Sequence, residues 1–304
     1  MTDKYAVIGN PISHSKSPLI HKMFAEQTGQ EISYEAIEAP LDGFAATIER
    51  LRNSGYKGCN VTVPFKFDAF KIATQLSERA QAAQAVNTLK FDGEIILGDN
   101  TDGAGLVRDI QHNLGVSLQD KRALLMGAGG AAYGVILPLL WTGVKLTVVN
   151  RTLEKAKQLG AAFAARGQIS ICSYAELDGK VFDCVINATS SGLSGEMPPL
   201  PRNHQIPLNP PFKKGEARVP PFAKESTDIP TFAKGGAGGI FAPGALAYDM
   251  MYGRETPFMK FAREQGATVV SDGLGMLVEQ AAESFFLWRS VRPDTAPVIA
   301  ALRT

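Results

Sequence analysis

Hydrophobic positions along the chain follow two rhythms. Short β-branched or apolar runs mark strands, and longer segments whose apolar residues recur every three or four positions mark amphipathic helices. In the first third this pattern predicts strands at 4–9, 33–38 and 56–63, and a helix over 41–53 with Phe44, Ile48 and Leu51 on one face. Pro64 stops the third strand, and Phe65, Ala69, Phe70, Ile72 and Ala73 take up a helical spacing at once. Strand patterns at 85–91 and 94–97 flank Asp92-Gly93, a strong hairpin signal. A helix through Leu114 leads into the second half.

The segment from Arg122 to Thr152 forms a unit of its own. An apolar run ends at Gly127-Ala128-Gly129-Gly130-Ala131-Ala132, a helical pattern extends through Leu140, and a second β-branched run ends at Val149. Strand, glycine turn, helix and strand within about 30 residues make a βαβ unit. Gly127 permits the tight turn, Gly129 lets backbone amides approach a pyrophosphate, and Ala132 is small enough for the helix to pack on its strand. The helix N-terminus then offers partial positive charge to the phosphates. An NAD site places an acidic residue after the second strand, roughly 20 residues beyond the glycines. This chain has Asn150-Arg151-Thr152 there. A carboxylate would repel a 2′-phosphate, whereas Arg151 can grip one through paired charge-assisted bonds, with Thr152 and Lys155 as further donors. The cofactor is therefore expected to be NADP.

The same domain is predicted to continue with a helix over 153–165, a strand near 168–172 and a buried strand over 182–187. Thr189 follows that strand's carboxyl end, where cofactors bind in such sheets. From 202 to 241 the composition shifts: Pro210-Pro-Phe-Lys-Lys, Pro220-Pro-Phe-Ala-Lys and Pro230-Thr-Phe-Ala-Lys recur at a fixed period, and five residues ending at Gly239 are nearly all glycine. Spaced prolines with few periodic apolar residues cannot build a packed layer, which predicts a disordered or loosely draped insertion. The sheet is expected to resume at Gly244, followed by a helix over 256–265 and a strand over 267–270. In the last helix Leu277, Ala281, Phe285 and Trp288 share an apolar face. If it packs back on the first domain, Gln280 on its edge comes near the cleft.

Three polar groups in the first domain ask for an explanation. Ser13, His14, Ser15, Lys16 and Ser17 crowd one strand-to-helix loop. Ser17 suits the N-cap before Pro18, but capping leaves the other donors unexplained, and their density suits a small carboxylate. Lys66 falls in the first turn of a helix, where the dipole disfavours a cation; either its stem lies along the surface with the head in water, or it serves as a general acid. Asp99 and Asp102 follow the hairpin, as plain turn residues or as a carboxylate partner for Lys66 at the seam between domains.

Composition narrows the function. A length of 304 residues fits two domains, and 45% apolar with 20% charged residues describes a globular protein. A formal charge of +1 without like-charge blocks argues against nucleic acid as partner. Cys59, Cys172 and Cys184 are scattered and odd in number, which fits a reducing cytoplasm and neither a disulfide framework nor a metal site. No apolar run is long enough for a signal core or a membrane span.

The chain resembles the bacterial biosynthetic shikimate dehydrogenases over nearly everything except 202–241. The resemblance is carried by Gly9-Asn-Pro-Ile-Ser-His-Ser15-Lys-Ser17-Pro, Asn60-Val-Thr62-Val-Pro-Phe-Lys66, Ala85-Val-Asn87-Thr, Asp99-Asn-Thr-Asp102-Gly, Gly127-Ala-Gly-Gly-Ala131, Asn150-Arg-Thr152, Asn187-Ala-Thr-Ser190, Tyr248-Asp-Met-Met-Tyr252 and Asp272-Gly-Leu-Gly-Met-Leu-Val-Glu-Gln280. It implies an α/β substrate domain over 1–102, completed by helices at about 275–304, and a doubly wound Rossmann-type NADP domain over 103–274, with the cleft between them. It implies NADPH-dependent reduction of 3-dehydroshikimate to shikimate by a monomer or homodimer.

Lys66 and Asp102 would then be the catalytic pair. Ser15 and Ser17 would hold the substrate carboxylate, and Thr62, Asn87, Asp102, Tyr252 and Gln280 its ring hydroxyls. The cofactor would touch Glu78, Gly127, Ala128, Gly129, Gly130, Ala131, Asn150, Arg151, Thr152, Lys155, Thr189, Met250 and Gly273. Ala132-Tyr133 departs from the Ser-Arg or Ala-Arg of many relatives and removes a nearby cation. Competing readings are a quinate and shikimate dehydrogenase using NAD, a silent metabolite-binding regulator on the same scaffold, and a methyltransferase. Arg151 speaks against the first, the joint presence of Lys66 and Asp102 against the second, and Asn150 in place of an acidic residue against the third.

Overall fold

The computed structural model describes residues 2–189, 196–201 and 239–303, organised by two six-stranded sheets. The first contains β1 (Asp3–Gly9), β2 (Ile32–Glu38), β3 (Tyr56–Val61), β4 (Gln75–Leu76), β5 (Thr88–Asp92) and β6 (Ile95–Asp99), in spatial order β2-β1-β3-β5-β6-β4. β1 runs parallel to β2 and β3, and the β5–β6 hairpin joins β3 antiparallel. The connections carry α1 (Ser17–Thr28), α2 (Phe44–Asn53), α3 (Lys66–Ile72) and α4 (Glu78–Ala83).

The second sheet is entirely parallel, in order β12-β11-β10-β7-β8-β9. Its strands are β7 (Arg122–Met126), β8 (Lys145–Val149), β9 (Ile169–Cys172), β10 (Phe182–Asn187), β11 (Phe241–Asp249) and β12 (Val269–Ser271), with α6 (Gly130–Trp141), α7 (Leu153–Phe163) and α8 (Pro257–Glu264) between them. Leu124, Leu125, Met126, Val185 and Ile186 are fully buried, as strands covered on both faces require. Strand order reverses between β7 and β10, so the loops leaving their carboxyl ends part to form a crevice.

Two helical segments tie the halves together. α5 (Asp102–Arg108) runs into a π-helical turn, Asp109–Asn113, and α9 (Leu274–Arg289) leaves the second sheet to pack on the first. Val278, Ala281 and Phe285 of α9 close a cluster with Ile20 and Phe24 of α1. Trp288 stacks on Tyr5 at 4.6 Å and donates to the Leu89 carbonyl at 3.0 Å. Buried Asp109 accepts from the Tyr248 hydroxyl at 2.6 Å and from Asn113 at 2.8 Å. Gly275 is required beside it, because a Cβ there would lie 2.0 Å from the Asp109 carboxylate. α10 (Ala296–Arg303) ends the described residues.

The expected insertion ends too late. Ile240 is fully buried and Phe241 opens β11 opposite Phe182, so residues 239–241 belong to the fold. Directly behind a glycine run, two apolar residues carry no periodicity to betray this. The rest of the expected insertion, 202–238, lies outside the described residues, as does Ser190. Among the described residues no helix is long and apolar enough to cross a membrane.

His21 of α1 is wholly buried, stacked on Tyr34 at 4.1 Å, and burial drives its pKa from 6.5 down to about 3. The unfolded chain therefore binds the extra proton between those two values. Stability rises with pH across that window, is complete above 6.5, and is lost as the pH falls below it. On acidification from pH 8 to pH 5 this one residue should cost about 2 kcal/mol. His21→Phe should remove that loss, seen in urea unfolding at both pH values; an identical pH dependence in parent and variant would contradict it.

Candidate active site

The carboxyl end of β1 delivers the serine-rich loop. α1 begins at Ser17 with Lys16 at the cap position and no side-chain cap, so the expected capping role of Ser17 is not taken up. Ser17 is instead close to Ser15, whose Oγ accepts its backbone N–H at 3.3 Å. Both serines line a cavity of about 380 Å³, together with Thr62, Lys66, Asn87, Asp102, Met250, Tyr252, Gly273 and Gln280.

At the wall of this cavity the Lys66 ammonium lies 2.6 Å from Asp102 Oδ2. Each is the first residue of its helix, α3 and α5 respectively. That position disfavours the lysine and favours the carboxylate, so the pair offsets the cost of a cation at a helix N-terminus. Asn87 donates to the other carboxylate oxygen, Asp102 Oδ1, at 2.7 Å, while its own Oδ1 accepts the Thr101 amide at 2.9 Å. The Gln280 amide turns its oxygen to Asn87 at 3.5 Å and donates to the Leu277 carbonyl at 2.8 Å. Partial burial raises the Tyr252 hydroxyl above its ordinary pKa of 10.

Between the two carboxylates left open by the sequence, the geometry discriminates. Asp99 is only 3% exposed and is held by Ser77 and by Arg79, whose Nε lies 3.2 Å away. It is a structural anchor; Asp102 faces Lys66.

A second crevice of about 630 Å³ is walled by Gly127, Ala128, Gly129, Gly130, Ala131, Asn150, Arg151, Thr152, Lys155 and Thr189. Gly127 has φ +111, a conformation that strains any other residue, and a Cβ on it would press on the Ala188 carbonyl at 3.1 Å. Around Gly129 the space is open, and the first amides of α6 have no acceptors within the helix. Arg151 pairs with exposed Glu196 at 3.2 Å. This donor set fits a dinucleotide with a phosphate on its adenosine ribose. The two spaces adjoin: Met250, in the cavity wall, donates its amide to the carbonyl of Asn187, two residues before Thr189 in the crevice wall.

Glu78, expected in the cofactor set, is not brought to either space by the structure. It lies on α4 and is ion-paired with Arg166 at 2.5 Å. Tyr133 is half-buried against Phe163 in the core of the second sheet, clear of the phosphate crevice.

Sequence reasoning overlooked Asn60. It lines the cavity, accepts from the Tyr34 hydroxyl at 2.8 Å, and donates to Ser284 at 2.9 Å. An amide inside a strand pattern was the available signal. Tyr174 and Glu196 of the crevice were also overlooked; burial pushes the Tyr174 hydroxyl up to about 12. Among the described residues no group of three or more His, Cys, Asp or Glu side chains stands ready to hold a metal.

Three family models match the chain: the shikimate dehydrogenase substrate binding domain over residues 7–89, shikimate / quinate 5-dehydrogenase over 109–194, and the shikimate 5′-dehydrogenase C-terminal domain over 273–303. A shikimate dehydrogenase (NADP(+)) of Nitrosospira multiformis is 53% identical over 306 residues, spanning 100% of this chain and 98% of its own. That of Methylobacillus flagellatus is 53% identical over 304 residues, spanning 99% of each. Among solved structures, an Ael1 enzyme from Pseudomonas putida superposes with a TM-score of 0.83 at 44% identity, over 99% of this chain and 98% of its own. The shikimate 5-dehydrogenase of Thermus thermophilus in complex with NADP(H) and shikimate superposes with a TM-score of 0.79 at 28% identity, over 99% of each chain.

Asn87→Ala would strip the Thr101 amide of its acceptor and Asp102 of a donor. The variant should lose about 1–3 kcal/mol of stability in urea unfolding. An unchanged unfolding midpoint would mean that Asn87 does not hold this loop.

Proposed function

This chain belongs to the shikimate dehydrogenase family, and from that premise we propose that it catalyses the reversible, NADPH-dependent reduction of 3-dehydroshikimate to shikimate, a step toward aromatic amino acids. The observation that carries the reading is the 2.6 Å contact of Lys66 with Asp102 in a cavity of hydroxyls and amides that adjoins the Arg151 crevice. Residues 1–102 with 275–304 form the substrate-binding domain and 103–274 the cofactor-binding domain, a division supported by the packing of α9 against α1. The reading places the enzyme in the cytoplasm as a monomer or homodimer, and the three buried free thiols suit a reducing compartment.

Ser15 and Ser17 grip the substrate carboxylate, which fixes one end of the ring. Thr62, Asn87, Asp102, Tyr252 and Gln280 receive its hydroxyls; a site built from such groups rejects analogues that leave them unpaired. NADPH, when bound, supplies the hydride for the ketone carbon. Lys66 Nζ hands a proton to the ketone oxygen, so no alkoxide has to persist, and takes the proton back in the reverse direction. Asp102 aims that ammonium and is itself fixed by Asn87. Met250 and Gly273 shape the wall beside the nicotinamide. Arg151, with Thr152 and Lys155, takes the 2′-phosphate, which displaces the exposed and therefore weak pair with Glu196.

Turnover of shikimate and of quinate, each with NADP and with NAD, tests the whole reading; shikimate with NADP should be the best combination by a wide margin. Lys66→Ala should lower kcat by roughly 10² to 10⁴ with little change in substrate affinity; a near-normal rate would remove Lys66 from the chemistry. Arg151→Ala should weaken NADP by about ten- to a hundredfold and hardly touch NAD. Equal losses for both cofactors would instead make Arg151 structural.

A further inference from the structure

α3 sorts its aromatic neighbours unevenly. Phe65 and Ala69 are fully buried in the first sheet's core, and Phe70 and Ile72 pack against it. Phe67 does not join them; it is 57% exposed, directly after Lys66. A single exposed ring is ordinary on a protein surface, so its direction matters more than its exposure. The ring reaches across the cleft to α6: a Cβ built on Gly130 would have Phe67 Cζ as its neighbour, at 4.0 Å. There it stands at the edge of the open shelf of backbone amides that suits a diphosphate. The cavity wall at Met250 and Gly273, which would take the other end of a dinucleotide, lies on the Lys66 side. A dinucleotide joining shelf and wall would run past the Phe67 ring.

We propose that Phe67 is a cofactor-contacting residue lent by the substrate-binding domain, its ring covering NADP(H) between the diphosphate and the nicotinamide. The inference rests on NADP(H) being the cofactor. The contact shields that stretch from water and makes the bound cofactor a bridge between the two domains.

The test is titration of NADPH into parent, Phe67→Ala and Phe67→Leu proteins without substrate, followed by nicotinamide fluorescence. Phe67→Ala should weaken binding about tenfold and Phe67→Leu should restore most of it. Melting midpoints of the cofactor-free proteins, and shikimate binding to them, should not change. Equal NADPH affinity in Phe67→Ala and parent would overturn the proposal, as would a lowered melting midpoint in Phe67→Ala, which would make the ring structural. A parent protein that binds no NADPH would instead overturn the cofactor reading beneath it.

Discussion

The ion pair between Lys66 and Asp102 joins two helix N-termini with opposite electrostatic preferences. The dipole of α3 disfavours the ammonium at its first residue, while that of α5 favours the carboxylate at its own. Each side chain thus sits where the other makes the arrangement stable, and the contact also fixes how the loops after β3 and β6 face each other. Asn87 extends the constraint by holding both the carboxylate and the Thr101 amide, so a single amide sets the carboxylate's orientation and the start of α5. The cavity is built outward from that point.

The cofactor half was the most legible part of the chain. Between Arg122 and Thr152 the apolar runs, the glycines and the absence of an acidic residue after Val149 all describe the same physical object, and the structure returns β7, α6 and β8 in that order. In such a unit local propensity and tertiary role coincide. The substrate half was less transparent, because its site is assembled from loop ends far apart in sequence. Asp99 and Asp102 look alike as residues in a turn; the half-buried Arg79 beside the former and Lys66 beside the latter separate them.

Other features were illegible for physical reasons. Helical periodicity shows that α9 has an apolar face without naming what covers it, and its partners on α1 and β1 lie more than 250 residues earlier. Glu78 is as polar as any ligand residue, and only the fold shows its carboxylate paired with Arg166. Asn60 interrupts no pattern strongly enough to stand out, although its amide is clamped from both sides by Tyr34 and Ser284. Ser17 suits a cap so well that composition alone could not separate capping from ligand binding, whereas the helix uses no side-chain cap there.

The return of α9 has a consequence for how the protein is made. Tyr5, Ile20 and Phe24 are synthesised more than 250 residues before the surfaces that cover them, Phe285 and Trp288. The amino-terminal sheet therefore waits on the ribosome with an oily flank bare while the dinucleotide-binding half, whose strands are nearly consecutive, can close. Such an order makes the earlier-made lobe mature after the later-made one.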